Sequence, residues 1–204
     1  MQLLYSAMSP FARKARVVAF ELGLAERLEL VPATPYTDES LRAINPLSKI
    51  PILIPDPEAI GGEPIFDSPV ICEYLEHLAG VSLTPASGPE RWAALTQQAL
   101  ADGMGDAALA IVRERLRDGE GKGPGRQDLF DRQAAALNAA LDKLEAEGLP
   151  ADRFQIGEIA VAAQLAYLDG RAVLAWREGR PNLAAWYETA SRRTSMVATA
   201  PQLA

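Results

Sequence analysis

Two short stretches carry groups arranged to hold a small peptide. In Asn45-Pro46-Leu47-Ser48-Lys49-Ile50-Pro51, a proline opens the apolar run Ile52-Leu53-Ile54, which reads as a short buried strand. Proline has no backbone N–H, so at a strand start it marks an edge or an end. A cis bond before it, which only X-Pro bonds adopt at low cost, would turn the Ile50 N–H and C=O outward and unpaired. An extended peptide laid beside those groups would pair with them as an added strand. In Ile65-Phe66-Asp67-Ser68-Pro69, a strand end meets a helix start, with Ser68 at the N-cap, Pro69 at the first helical position, and Val70, Ile71, Tyr74, Leu75 and Leu78 at helical spacing. A helix N-terminus suits a carboxylate, and Asp67 beside it suits an ammonium. Carboxylate and ammonium together make an amino-acid head group. Either motif alone also describes an ordinary cap or turn; joined through strand, turn and strand, the pair is more specific.

The pattern Asn-Pro-x-x-Lys-Ile-Pro over 45–51, followed by Phe66-Asp67-Ser68 and a helix, resembles the glutathione-binding half of the glutathione S-transferases. The opening from Leu4 to Arg16, with Ser9-Pro10-Phe11-Ala12-Arg13, resembles their first strand and helix, especially in bacterial members, and Ile156-Gly157-Glu158-Ile159-Ala160-Val161-Ala162 resembles the start of a core helix in their C-terminal domain. The resemblance runs over nearly the whole chain. It implies an α/β thioredoxin-like N-terminal domain and an all-α C-terminal domain, the glutathione S-transferase fold, in a detoxifying enzyme that moves the glutathione thiolate onto a small electrophile. It further implies that Ile50 and Pro51 pair with the cysteinyl part of glutathione, that Asp67 and Ser68 hold its γ-glutamyl end, that Lys49 adds positive charge, and that Ser9, adjoining Phe11, stabilises the thiolate. Tyr5 is the alternative, because several classes of the family use a tyrosine just after the first strand. Met8, Asp102, Asp106 and Arg113 are expected to border the cleft for the electrophile. A homodimer is expected, with glutathione as co-substrate and no permanently bound cofactor.

Ser9 stands where thioredoxin-like oxidoreductases carry a nucleophilic cysteine, and Ala12 where a second cysteine would be. A hydroxyl at a helix N-terminus can instead donate a hydrogen bond to a bound thiolate. A thiol of pKa about 8.5 is only a few per cent ionised at neutral pH, and lowering it by roughly 2 units asks for about 2.7 kcal/mol. One charge-assisted hydrogen bond and a helix dipole together supply that much. Ser9 as a simple helix cap, and Tyr5 as a half-buried strand aromatic, are the structural alternatives.

The elements that must position these residues follow from the pattern. Gln2 to Tyr5 is a strand; Ser9-Pro10 starts a helix with Phe11, Ala15, Val18 and Leu22 inward and Gly23 at its end; Leu28 to Val31 is a second strand. A loop from Pro32 to Ser40 leads to a short helix over 41–45. Ile52 to Ile54 and Ile65-Phe66 are two further strands, joined through Asp56-Pro57 and Gly61-Gly62 as a hairpin with an extended turn. Residues 1–79 are therefore expected to form the glutathione-binding domain, 80–88 a linker, and 89–204 a helical domain. There, Glu90 to about Arg117 is a long helix with Leu100, Met104, Ala107 and Ile111 on its apolar side. Gly103 and Gly105 within it suggest close approach of a ligand or another helix. Asp118 to Gln127 is expected to be a mobile loop, Phe130 to Leu144 an amphipathic helix, and Ile156 to Leu168 a buried one, started by a weak Gln155/Glu158 cap. Trp176, Trp186 and Tyr187 are expected to pack the last helices, and the tail after Arg193 to be loosely held.

With 204 residues, 49% of them apolar, the chain has the means to bury a core. Its net charge of −7 argues against nucleic acid, and its lack of an 18-residue apolar run argues against a membrane span. Arg13, Lys14 and Arg16 interrupt any signal-peptide core, so a cytoplasmic location is expected; Lys14 and Arg16 read as a solvated helix face. One cysteine, Cys72, and one histidine, His77, leave no internal disulfide, no paired-cysteine redox motif and no cysteine-rich or histidine metal site. Fold does not fix function. A non-catalytic interaction protein on the same fold, as in the stringent starvation proteins, is the alternative, and glutathione-dependent thiol exchange a third.

Overall fold

The computed structural model describes residues 1–35, 37–57, 62–117 and 124–201. The chain divides into two compact units, one of residues 1–86 with the C-terminal stretch from Thr194, the other of residues 87–193.

In the first unit, β1 (Gln2–Tyr5), α1 (Pro10–Glu21) and β2 (Glu29–Pro32) form a parallel strand-helix-strand unit, and β3 (Ile52–Ile54) adds antiparallel to the other side of β1. The sheet order is β2-β1-β3. The expected fourth strand reduces to a single antiparallel bridge between Leu53 and Ile65; of the expected turn, Gly61 lies outside the described residues. A short helix, α2 (Leu41–Ile44), packs Leu41 against Leu4 and Ile52, with Ile50 against the same cluster. Helix α3 (Ser68–Ala79) closes on Gly80, at φ 65°, with exposed His77 in its last turn.

Three expectations are corrected here. Lys14 is fully buried and Arg13 nearly so, while Arg16 is half-buried with its guanidinium over the Tyr5 ring, 5.1 Å from its centroid. The helix is covered on most sides, so its cations do not form a solvated face. As far as Pro201 the tail is not loose: α8 (Thr194–Ala198) packs into this unit with Ser195, Met196 and Thr199 buried, and residues 202–204 lie outside the described residues. The third concerns the start of α3, whose N-cap is Asp67 rather than Ser68.

The second unit is helical: α4 (Gly88–Leu116), α5 (Pro124–Glu147), α6 (Ile156–Gly170) and α7 (Pro181–Ala190). Helix α5 begins at Pro124, within the stretch expected to be loop; residues 118–123 of that stretch lie outside the described residues. Every residue from Ile156 to Leu168 is buried, as expected of an all-round apolar helix. Its start is better held than Gln155 suggested. Buried Glu158 accepts the Gln155 N–H at 2.9 Å and pairs with Arg153 at 2.8 Å. Trp176 and Tyr187 meet edge to face at 5.6 Å, and both are buried with Trp186.

The two glycines of α4 have different reasons. A Cβ on Gly105 would lie 2.5 Å from Gln164 Oε1 of α6, whereas one on Gly103 would meet nothing within 4 Å. Helix propensity alone favours alanine over glycine by about 1 kcal/mol. Gly103→Ala is therefore expected to raise stability by roughly that amount. Gly105→Ala must push aside the buried end of the Gln164 side chain, and is expected to fall about 1 kcal/mol short of Gly103→Ala, a difference relieved by a second change, Gln164→Ala. Denaturation midpoints of the variants decide it; Gly105→Ala as stabilising as Gly103→Ala would contradict the close approach.

Candidate functional site

The strand register places the sequence motifs at one end of the sheet. Leu4 stands opposite Ile52 in an antiparallel pair, so the chain leaving β1 toward Ser9 emerges beside Ile50-Pro51. Leu53 bridges Ile65, also antiparallel, so Phe66-Asp67-Ser68 runs toward that same end. Ser9, Ile50 and Ser68, far apart in sequence, therefore share one edge of the fold.

The Ile50-Pro51 and Phe66-Asp67 peptide bonds are cis. Among the described residues nothing bonds to the Ile50 N–H or C=O, while its side chain is anchored in the cluster of Leu4, Leu41 and Ile52. The preceding loop is held by Asn45, a residue the sequence reading quoted but gave no role. Buried Asn45 donates from Nδ2 to Lys49 O at 3.0 Å and accepts the Leu47 N–H at 3.0 Å, closing a local turn in which Ser48 takes φ 51°. Asn45 thus fixes the backbone leading into Ile50. Its signal was present: an asparagine between a short helix and a proline, where a side-chain turn is favoured. Lys49 itself points to solvent.

At the start of α3, the Asp67 side chain accepts the Ser68 N–H at 2.5 Å, and Ile71 N–H bonds Asp67 O at 2.9 Å. Asp67 is exposed and Ser68 fully buried. Among the described residues, Ser68 Oγ has no hydrogen-bond partner. A buried hydroxyl is normally satisfied, because an orphan costs about 1–3 kcal/mol; Ser68 shares this state with the amides of Gln97, Gln98 and Gln164 and with Arg126 Nε, all on helices of the second unit. At α1, Ser9 is the N-cap, and its Oγ accepts the Ala12 N–H at 3.2 Å. Accepting that bond leaves the hydroxyl proton to donate. Phe11 and Met8 flank it, both half-buried. Tyr5 lies under Arg16, whose pKa burial lowers and the neighbouring phenol raises. On α4, Asp102, Asp106 and Arg113 share one side by spacing; Asp102 is half-buried, the other two are exposed, and neither Asp102 nor Arg113 lacks a partner. Cys72 is buried within α3.

Residues 8–78 match the model described as glutathione S-transferase, N-terminal domain, and residues 127–189 that described as glutathione S-transferase, C-terminal domain. The uncharacterized GST-like protein YibF of Escherichia coli (strain K12) is 34% identical over 98% of both chains. The chain belongs to the glutathione S-transferase family. A glutathione transferase family member from Pseudomonas fluorescens Pf-5, solved with bound glutathione, shares 39% identity over 99% of each chain with a TM-score of 0.91. A glutathione S-transferase from Methylobacillus flagellatus KT, solved with glutathione bound, shares 35% identity over 98% of this chain and 99% of that one, with a TM-score of 0.85. Family membership carries the thioredoxin-like and all-helical halves with it. Among the described residues no helix is long and apolar enough to cross a membrane.

Proposed function

We propose that this transferase-family protein binds glutathione at the end of the sheet where β1 finishes and β3 begins, holds the sulfur as a thiolate beside Ser9, and transfers it to an electrophilic carbon of a small second substrate. The observation that carries the reading is Ser68 Oγ: buried, at a helix N-terminus, beside a carboxylate, and without a partner. The α-carboxylate of a γ-glutamyl group supplies the missing acceptor, favoured by the helix dipole. Asp67, with one oxygen on Ser68 N–H, offers the other to the α-ammonium. The Ile50 backbone pairs with the cysteinyl residue, and exposed Lys49 offsets the negative charge of both ligand and protein.

The sulfur then lies within the field of α1, where the Ser9 hydroxyl donates to it. Attack forms the carbon–sulfur bond as the leaving group departs with its electron pair, and the protein contributes pKa lowering and positioning. One Pseudomonas and one Methylobacillus relative hold glutathione, and the same Pseudomonas protein was also solved with S-(propanoic acid)-glutathione, a sulfur-substituted form that supports transfer. Met8, Asp102, Asp106 and Arg113 are the residues this reading assigns to the electrophile. A homodimer in the cytoplasm completes it, with half-exposed Val70 and two-thirds-exposed Trp92 as apolar side chains for a second copy to cover; a monomer in sedimentation would remove that part. Calorimetric titration with reduced glutathione, followed by turnover of an activated aryl halide, tests the whole. Saturable binding and halide release are expected. No binding at millimolar ligand sinks the reading, and binding without turnover reduces it to a glutathione-binding protein.

A further inference from the structure

Helix α8 ends on two guanidiniums of α1. The last carbonyls of any helix lack intrahelical donors, and here Arg13 Nη2 donates to Met196 O at 2.8 Å and Arg16 Nη1 to Thr199 O at 3.4 Å. Arg13 Nε reaches Thr199 Oγ1 at 3.4 Å, and that hydroxyl donates to Ser195 O at 2.7 Å. At the other end of α1, Ser195 Oγ donates to Glu21 Oε1 at 2.5 Å. Two cations at a helix C-terminus also complement its dipole. This stretch lies beyond the residues, 127–189, that match the C-terminal domain model, and it packs with the N-terminal unit.

Arg13 is the link to the site. Its own N–H bonds Ser9 O at 2.9 Å, closing the first turn of α1 on the residue assigned to the thiolate, while its side chain, 7% exposed, is tied to α8. We propose that α8 is a brace for that first turn, and that Arg13 is a positioning residue that fixes the Ser9 hydroxyl against the sulfur. The role of Ser9 rests on the function proposed above; the brace itself does not. A bond from α8 to the far end of α1, through Glu21, holds the helix as a body. The bond through Arg13 holds the turn where a displacement of a fraction of an ångström changes a hydrogen bond to sulfur.

Hydrogen exchange on the full ligand-free chain tests the brace without glutathione. Arg13→Met is expected to speed exchange at the Ala12 and residue-13 amides about tenfold, with the Leu22 amide little changed. Arg13→Lys, which keeps a donor for Met196 O, is expected to restore most of the protection. Ser195→Ala, which frees the Glu21 end, is expected to spare the first turn. At saturating glutathione, the pH profile of kcat/KM for the electrophile in Arg13→Met should move upward by about one unit while the dissociation constant of glutathione stays within about threefold, and Arg13→Lys should reverse the move. Unchanged exchange at Ala12 in Arg13→Met overturns the proposal, whatever the protein does with glutathione. So does equal loosening in Arg13→Met and Ser195→Ala, which would make α8 ordinary packing. Failure of wild type to bind glutathione defeats the function proposed above and leaves the exchange result to decide the brace.

Discussion

Ser68→Ala is expected to weaken glutathione binding by about 10- to 150-fold while leaving the ligand-free protein as stable as before, or more so. The two effects have opposite signs for one reason. In the free protein Ser68 Oγ is buried without a partner, so removing it deletes an unsatisfied polar atom rather than a bond. In the complex the same hydroxyl would donate to a carboxylate, a bond to a charged group worth about 1.5–3 kcal/mol, and each 1.4 kcal/mol is tenfold in affinity. A residue serving only the fold would show the reverse, lost stability and unchanged affinity. Asp67→Ala is a useful companion because it strikes both: Asp67 caps α3 through Ser68 N–H, so loss of its carboxylate should weaken the cap and the hold on the ammonium together. Calorimetric titration beside denaturation midpoints separates the cases. Undiminished affinity in Ser68→Ala would leave its orphaned hydroxyl without a role in glutathione binding.

What could be read from the sequence was whatever depends on neighbours within a turn or two. The repeated Ser-Pro starts of α1 and α3, the glycine ends at 23 and 80, and the all-round apolar run of α6 each announce their element locally. The boundary at α3 slipped by one residue because Asp67 and Ser68 are equally good caps. The choice falls to Asp67 because its side chain reaches the Ser68 N–H, and that choice is what leaves Ser68 Oγ free. Lys14 and Arg16 were misread for a different reason. Charge in a helix signals solvent unless a partner covers it, and a partner of Arg16 is the Thr199 carbonyl, 183 positions away. Residues 194–201 have no apolar period to announce a docked helix; what they offer is carbonyls, the Ser195 and Thr199 hydroxyls and one buried methionine. The fourth strand was overcalled because two apolar residues suffice for a pattern but supply only one bridge.

Ser9→Ala is expected to lower turnover about 10- to 100-fold at slightly acid pH, with the loss shrinking as pH rises. The Ser9 hydroxyl already accepts from Ala12 N–H, so cap and donor are not competing roles: the oxygen serves the helix and the proton serves the sulfur. Removing it takes away a hydrogen bond to an anion worth about 1.5–3 kcal/mol, which raises the bound thiol pKa by roughly 1–2 units. Because the thiolate is the reactive form, the variant's activity climbs along a limb displaced to higher pH. Wild type and variant converge once both thiols are ionised, and a loss that stayed constant with pH would mean Ser9 acts on something other than ionisation. The cap should cost stability as well, about 1 kcal/mol, which a denaturation midpoint reads independently of the rate. Tyr5→Phe is the discriminating control. The Tyr5 ring is engaged by the Arg16 guanidinium 5.1 Å from its centroid, a contact phenylalanine keeps, so the variant should retain the wild-type pH profile. If Tyr5→Phe shifts the profile and Ser9→Ala does not, the thiolate donor is the strand tyrosine, and α1 contributes only its dipole.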